Sequence, residues 1–197
     1  MKTSLLKLKK AGFLKPFFYR VLNAFGKSHP DDEPIECREV IEKLELGGRD
    51  ALGIRDYHNL LMSVEGFARE KRNLYCSIAE KLIPFVGKSL TAKKCIIVAK
   101  AFLNGTCDKD ALLNAHLAIY RYHKFFRHDS PPKKRSDWAK FYALKAISQC
   151  TVLDLRRIEP TYAFMAADYY DHDKNEFFKT ILKEYEKVLF RPNEKSG

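Results

Sequence analysis

Apolar residues recur at intervals of three and four along almost the whole chain, and this spacing constrains its fold more than any other feature. Positions three and four apart share one face of an α-helix, so each such stripe marks a helix with one side to bury. Leu14, Phe17, Phe18, Val21, Leu22 and Phe25 form the first stripe. Pro16 suits a first helical position and Gly26 a C-terminal stop, which predicts a helix over 16–25. Further stripes predict helices over 36–44, ended by Gly47 and Gly48, and over 49–62, with a break near Gly53. A longer one covers 67–85 and closes between Pro84 and Gly87. Thr91 is a candidate cap for the next, which Asn104 and Gly105 stop. Thr106 or Asp108 opens a helix through Phe126, and Ser136 and Asp137 open one through Cys150. The last two run over 162–170, with Pro160 in its first turn, and over 175–190. No alternating strand series appears. The chain reads as all-α, a single bundle or array of about seven to nine helices at typical helix lengths.

Composition narrows the class. The 197 residues are 46% hydrophobic and 31% charged, which suits a packed core and excludes collagen-like, disulfide-scaffold and multi-span membrane chains. The cysteines are Cys37, Cys76, Cys95, Cys107 and Cys150, an odd number with no CxxC pair. That spacing speaks against a zinc site or redox dithiol and for buried thiols in a reducing cytoplasm. Lys and Arg outnumber Asp and Glu by 36 to 25, a net charge of +11. Residues 1–30 hold seven basic and no acidic residues, whereas 31–60 hold four basic and nine acidic. The sign change, with Pro30 and Pro34, marks 27–35 as a linker. It divides a basic helical extension, 1–30, from an all-helical domain, 31–197. Lys7, Lys9, Lys10, Lys15 and Arg20 interrupt the apolar residues of the extension, so neither a secretory signal nor a membrane span is expected there. Its amphipathic helix either docks on the main body or meets a membrane surface or a partner.

Few residues carry a pattern that points to chemistry. Asp168 and His172 are spaced to share a helix face, with Asp171 and Asp173 beside them. Such a group is either a metal site, for a helical enzyme that also uses His123, or a capping cluster for the final helix. His116, Tyr120 and His123 form a polar stripe on one helix, with no nucleophile spaced to join them. No nucleophile elbow or glycine-rich phosphate loop is present. Catalysis, a cofactor and a bound metal are therefore not expected. Pro131 and Pro132 precede Lys133, Lys134 and Arg135, and with Arg127 and His128 these make a basic loop, either solvated or in contact with nucleic acid.

Three short motifs add a family likeness. Cys76, Ala79, Glu80, Leu82 and Pro84 lie on one helix. Ala99, Phe102 and Gly105 close the next, and Ala163, Ala166 and Ala167 precede Tyr169 and Tyr170. Over residues 36–170 the chain resembles the immunity proteins of bacterial polymorphic toxin systems. Those carry a C-A-E-x-x-L-P helix, an A-x-x-W-x-x-G helix, where Phe102 replaces Trp, and a late A-x-x-A-x-Y helix. This chain has less Ala and a basic N-terminal segment that the group lacks. The resemblance implies a cytoplasmic helical protein that neutralises one cognate toxin domain by tight stoichiometric binding. A basic chain does not imitate nucleic acid, so an acidic toxin surface, or binding away from the toxin's active site, is expected. Arg127, Lys133, Lys134, Arg135 and Trp138 are the candidate partner-binding residues, as a basic loop beside an aromatic. The alternative is a nucleic-acid-binding protein that uses the N-terminal helix and this loop.

Overall fold

Ten α-helices form among the described residues of the computed structural model, and the fold is all-α. The structure describes residues 1–11, 15–46, 52–128, 132–170 and 174–190. In chain order the elements are β1 (Lys2–Thr3), α1 (Leu5–Lys10), α2 (Lys15–Ala24), β2 (Ile35–Glu36), α3 (Cys37–Leu46) and α4 (Ile54–Ser63). Then follow α5 (Ala68–Val86), α6 (Leu90–Leu103), α7 (Lys109–His128) and α8 (Arg135–Ser148). Two 3-10 turns, Gln149–Thr151 and Leu155–Arg157, lead to α9 (Thr161–Tyr169) and α10 (Lys174–Leu189). No described helix is long and apolar enough to cross a membrane.

The contacts form two compact units, Met1–Phe67 with Tyr185–Gly197, and Ala68–Glu184. In the first, the N-terminal residues are built in. Lys2 pairs with Glu36 and Thr3 with Ile35 in an antiparallel register, so β1 and β2 fasten the start of the chain. The Thr3 hydroxyl donates to Ser63 Oγ at 2.7 Å. Ser4 caps α1 by accepting from the Lys7 amide at 3.2 Å, and its hydroxyl donates to Asp32 at 2.6 Å. Leu5 and Leu8 are fully buried, as are Phe18, Val21 and Leu22 of α2 to within a few per cent. The apolar face of α2 is thus used inside the unit, where α2 packs on α1 and α3.

The expected boundary at 27–35 lies inside this first unit. Charges on either side of the sign change pair with each other. Lys27 binds Asp31 and Glu33, Lys2 lies 3.7 Å from Glu36, and Lys7 lies 3.2 Å from Glu65. The Leu6 amide also donates to the Asp31 carbonyl at 2.9 Å.

In the second unit, α8 packs on both α5 and α9, and α6 packs on α5 and α7. Small side chains allow the close approach: Ala79, Ala99, Ala139, Ala143, Ala166 and Ala167 are all fully buried. Leu74, Leu82, Leu112, Ile119, Leu144 and Ile147 fill the core around them. The three motifs that carry the family likeness supply much of this packing.

Helix ends follow local chemistry. At the close of α6 the Gly105 amide donates to the Phe102 carbonyl at 3.1 Å and the Thr106 amide to Ala101 at 2.9 Å. That double bond needs a left-handed residue, and Gly105 supplies it at φ 72°. Three expected limits shift. Ser89, not Thr91, caps α6 by accepting from the Ala92 amide at 3.3 Å. Helix α7 continues through His128, where the basic loop was expected to begin. Helix α8 begins at Arg135, because Asp137 reaches back to the amides of Lys133 and Lys134 at 3.3 and 3.2 Å. Asp108 proves to be the cap of α7, accepting from the Ala111 amide at 2.8 Å. Gly47, Gly48 and Arg49 lie outside the described residues.

Candidate functional site

Arg135, Trp138, Tyr142 and Lys145 fall on one face of α8 by their spacing of three, four and three. Opposite them α9 places Tyr162 and Tyr169. The four rings stack into a continuous strip. Trp138 lies 5.9 Å from Tyr142 and 6.1 Å from Tyr169, centroid to centroid. Tyr142 lies 5.5 Å from Tyr169 and 6.3 Å from Tyr162. A cation stands at each end. The Lys145 ammonium sits 4.1 Å from the centre of the Tyr162 ring, a cation–π contact. Arg135 donates to the Asp168 carbonyl at 2.6 Å, near the C-terminus of α9 where the helix dipole favours a positive charge. Trp138 remains 36% exposed.

Four of the five residues expected to bind a partner therefore meet at the start of α8. Lys133, Lys134 and Arg135 are exposed there beside Trp138. Arg127 belongs to α7, but its side chain lies outside the described residues. So do Asp171, His172 and Asp173, while Asp168 is the residue that receives Arg135. Among the described residues no group of three metal-ligating side chains gathers.

The strip leads into a groove of about 710 Å³. One wall is the stripe of α7 that carries Leu113, His116, Tyr120 and His123; the other is formed by Lys145, Ser148, the segment 152–154 and Tyr162. Its rim is unusually apolar for a surface. Leu113, Tyr120 and Leu153, which line it, are 41%, 46% and 47% exposed.

The two histidines differ in their hydrogen bonds. His116 Nδ1 lies 3.1 Å from Thr151 Oγ1 and 3.3 Å from the Ser148 carbonyl. The Thr151 hydroxyl already donates to that carbonyl at 2.8 Å, so both neighbours accept and the network assigns the proton of neutral His116 to Nδ1. Its Nε2 is then an acceptor. His123 stands edge-on to Tyr120 at 4.9 Å and to Phe141 at 6.0 Å. Its buried Nδ1 has no hydrogen-bond partner among the described residues. Burial, with the positive charge of Lys145 and the ring of His116, depresses its pKa to about 4.

This histidine links stability to pH. The folded protein keeps the ring neutral down to about 4, whereas the unfolded chain protonates it near 6.5. Unfolding therefore takes up a proton between those values, and stability falls as pH drops through that window. The expected loss from His123 is about 1–3 kcal/mol between pH 7 and pH 4. Urea titrations at both pH values check it: His123→Phe should lose that much less than wild type, and equal losses would refute the assignment.

Charge follows the same division as the contacts. The second unit holds 22 Lys and Arg against 13 Asp and Glu, a net +9, while the first holds 14 against 12, a net +2. Counting along the sequence places most of the positive charge in the first thirty residues; the folded first unit neutralises it with its own carboxylates.

Comparison with protein-family models, curated proteins and solved structures finds no match for this chain. The site is therefore read from its own geometry. The α7 stripe and Trp138 stand out in the sequence; Tyr142, Lys145, Tyr162 and Leu153 do not. Tyr142 and Lys145 were legible, being four and seven residues past Trp138. Leu153 and Tyr162 were not, because only the 3-10 turns bring them to α7 and α8.

Proposed function

We propose that this protein is an immunity protein that binds and neutralises a cognate bacterial toxin domain by stoichiometric contact, without catalysis. The observation that carries the reading is the strip of four stacked rings flanked by Arg135 and Lys145. Trp, Tyr and Arg dominate the binding energy of protein interfaces, and here the rings are held rigid by each other before any partner arrives. The likeness of residues 36–170 to polymorphic-toxin immunity proteins supplies the partner's class. A net +9 on the second unit favours an acidic toxin surface and fast, steered association.

Two features favour a protein over nucleic acid. Bases stack on free ring faces, and the faces of Trp138, Tyr142 and Tyr169 lie against each other. Three of the seven cations in residues 1–30 are paired with carboxylates of their own unit.

Capture by the tagged chain from a lysate of its native host tests the reading, followed by light scattering of the eluted complex on a sizing column. A one-to-one complex that survives concentrated salt is expected. Trp138→Ala should weaken it by about tenfold to a hundredfold, the range of an aromatic anchor. Failure to form the complex, or recovery of nucleic acid that washes off with salt, would overturn it.

A further inference from the structure

We infer that the groove between α7 and α8 receives an acidic segment of the partner that also carries a large apolar side chain. The inference rests on the protein-binding reading above and adds the chemistry of what enters.

The apolar requirement comes from the rim. Leu113 and Leu153 are large side chains left in water around one concavity, and covering them is favourable by about 25 cal/mol per Å² of apolar surface. The acidic requirement comes from how the groove's own charges are arranged. Arg157 and Asp154 pair with each other at 3.7 Å. The Glu159 carboxylate accepts from the Thr161 hydroxyl at 2.7 Å and from the Thr161 amide at 3.3 Å. Lys145 differs: its ammonium lies over the rings of Tyr162 and Phe141 and pairs with no carboxylate among the described residues. An incoming carboxylate meets that ammonium in a site already shielded by rings, where the attraction is stronger than in open water. The excess of positive charge on the unit points the same way. His116 adds a third contact. With its proton on Nδ1, its Nε2 accepts a hydrogen bond, which suits a backbone N–H of an extended segment.

Selection of a phage-displayed library of random peptides on the full chain tests this without the toxin. Enriched peptides are expected to place Asp or Glu within a few residues of Leu, Phe or Trp. A synthetic winner should bind Lys145→Glu and Leu113→Ser at least tenfold more weakly than wild type, and Lys94→Glu on α6 equally well. Leu113 is exposed, so its variant retains the fold and keeps the test decisive if Lys145→Glu does not. No enrichment, winners without acidic residues, or winners that bind Leu113→Ser as tightly as wild type would overturn the inference. A toxin complex without peptide enrichment removes the groove's role and leaves the immunity reading intact. Enrichment without a toxin complex does the reverse.

Discussion

Arg72→Ala is expected to lower the stability of the second unit by about 3–4 kcal/mol, which urea unfolding followed by circular dichroism would measure. Arg72 lies on α5 at 6% exposure, and its guanidinium donates to the Cys150 carbonyl at 2.8 Å. The guanidinium also lies 5.3 Å from the centre of the Phe102 ring. Burial pulls its pKa below the ordinary arginine value, so the charge is held at a cost that this hydrogen bond and ring contact offset. Alanine removes both contacts, strands the carbonyl of Cys150 and leaves a cavity. Arg72→Met separates the causes. It keeps most of the volume and removes the charge but strands the same carbonyl, so it should cost about 1–2 kcal/mol, less than alanine by the cavity. Equal losses for Met and Ala would mean that the hydrogen bond, and not the packing, carries the effect.

The second large effect is expected at the other end of the chain. Leu5→Ala should destabilise the first unit by about 2–5 kcal/mol, the range for emptying a fully buried leucine site. Hydrogen exchange at the amides of α3 and α4 reads it directly. A detachable N-terminal extension would instead give a change within about 0.5 kcal/mol, as surface substitutions do. The structure sides with the large effect because β1, the Ser4 cap and the Leu6–Asp31 hydrogen bond all fix α1 in place.

These two residues also show where sequence reading stopped. Helix periodicity located nine of the ten α-helices, since stripes such as Leu74, Ile78 and Leu82 need no knowledge of their neighbours. It missed α1, whose six residues carry too few apolar positions to show a period, and it missed β1 and β2, at two residues each. Arg72 reads as one more cation in the run Arg69, Lys71, Arg72. Its burial depends on a carbonyl 78 residues away. Charge depends on space in a similar way. A run of lysines followed by a run of acids looks like a boundary along the chain, and in space it is a set of ion pairs. The candidate site was half legible. Its α8 face follows from spacing on one helix, whereas the groove needs the 3-10 turns after α8 to return the chain towards α7.

The stacked strip has an optical consequence. Trp138 is the single tryptophan of the chain, and Tyr142 and Tyr169 lie 5.9 and 6.1 Å from it. At that separation tyrosine excitation passes to the indole almost completely, so the strip acts as an antenna with one emitter. The emitter sits at the partly exposed edge of the face described above. Anything that settles on that face changes the polarity around the indole and shifts its emission. Arrival of an occupant is therefore visible in the unlabelled protein, from a residue placed where contact is proposed to begin.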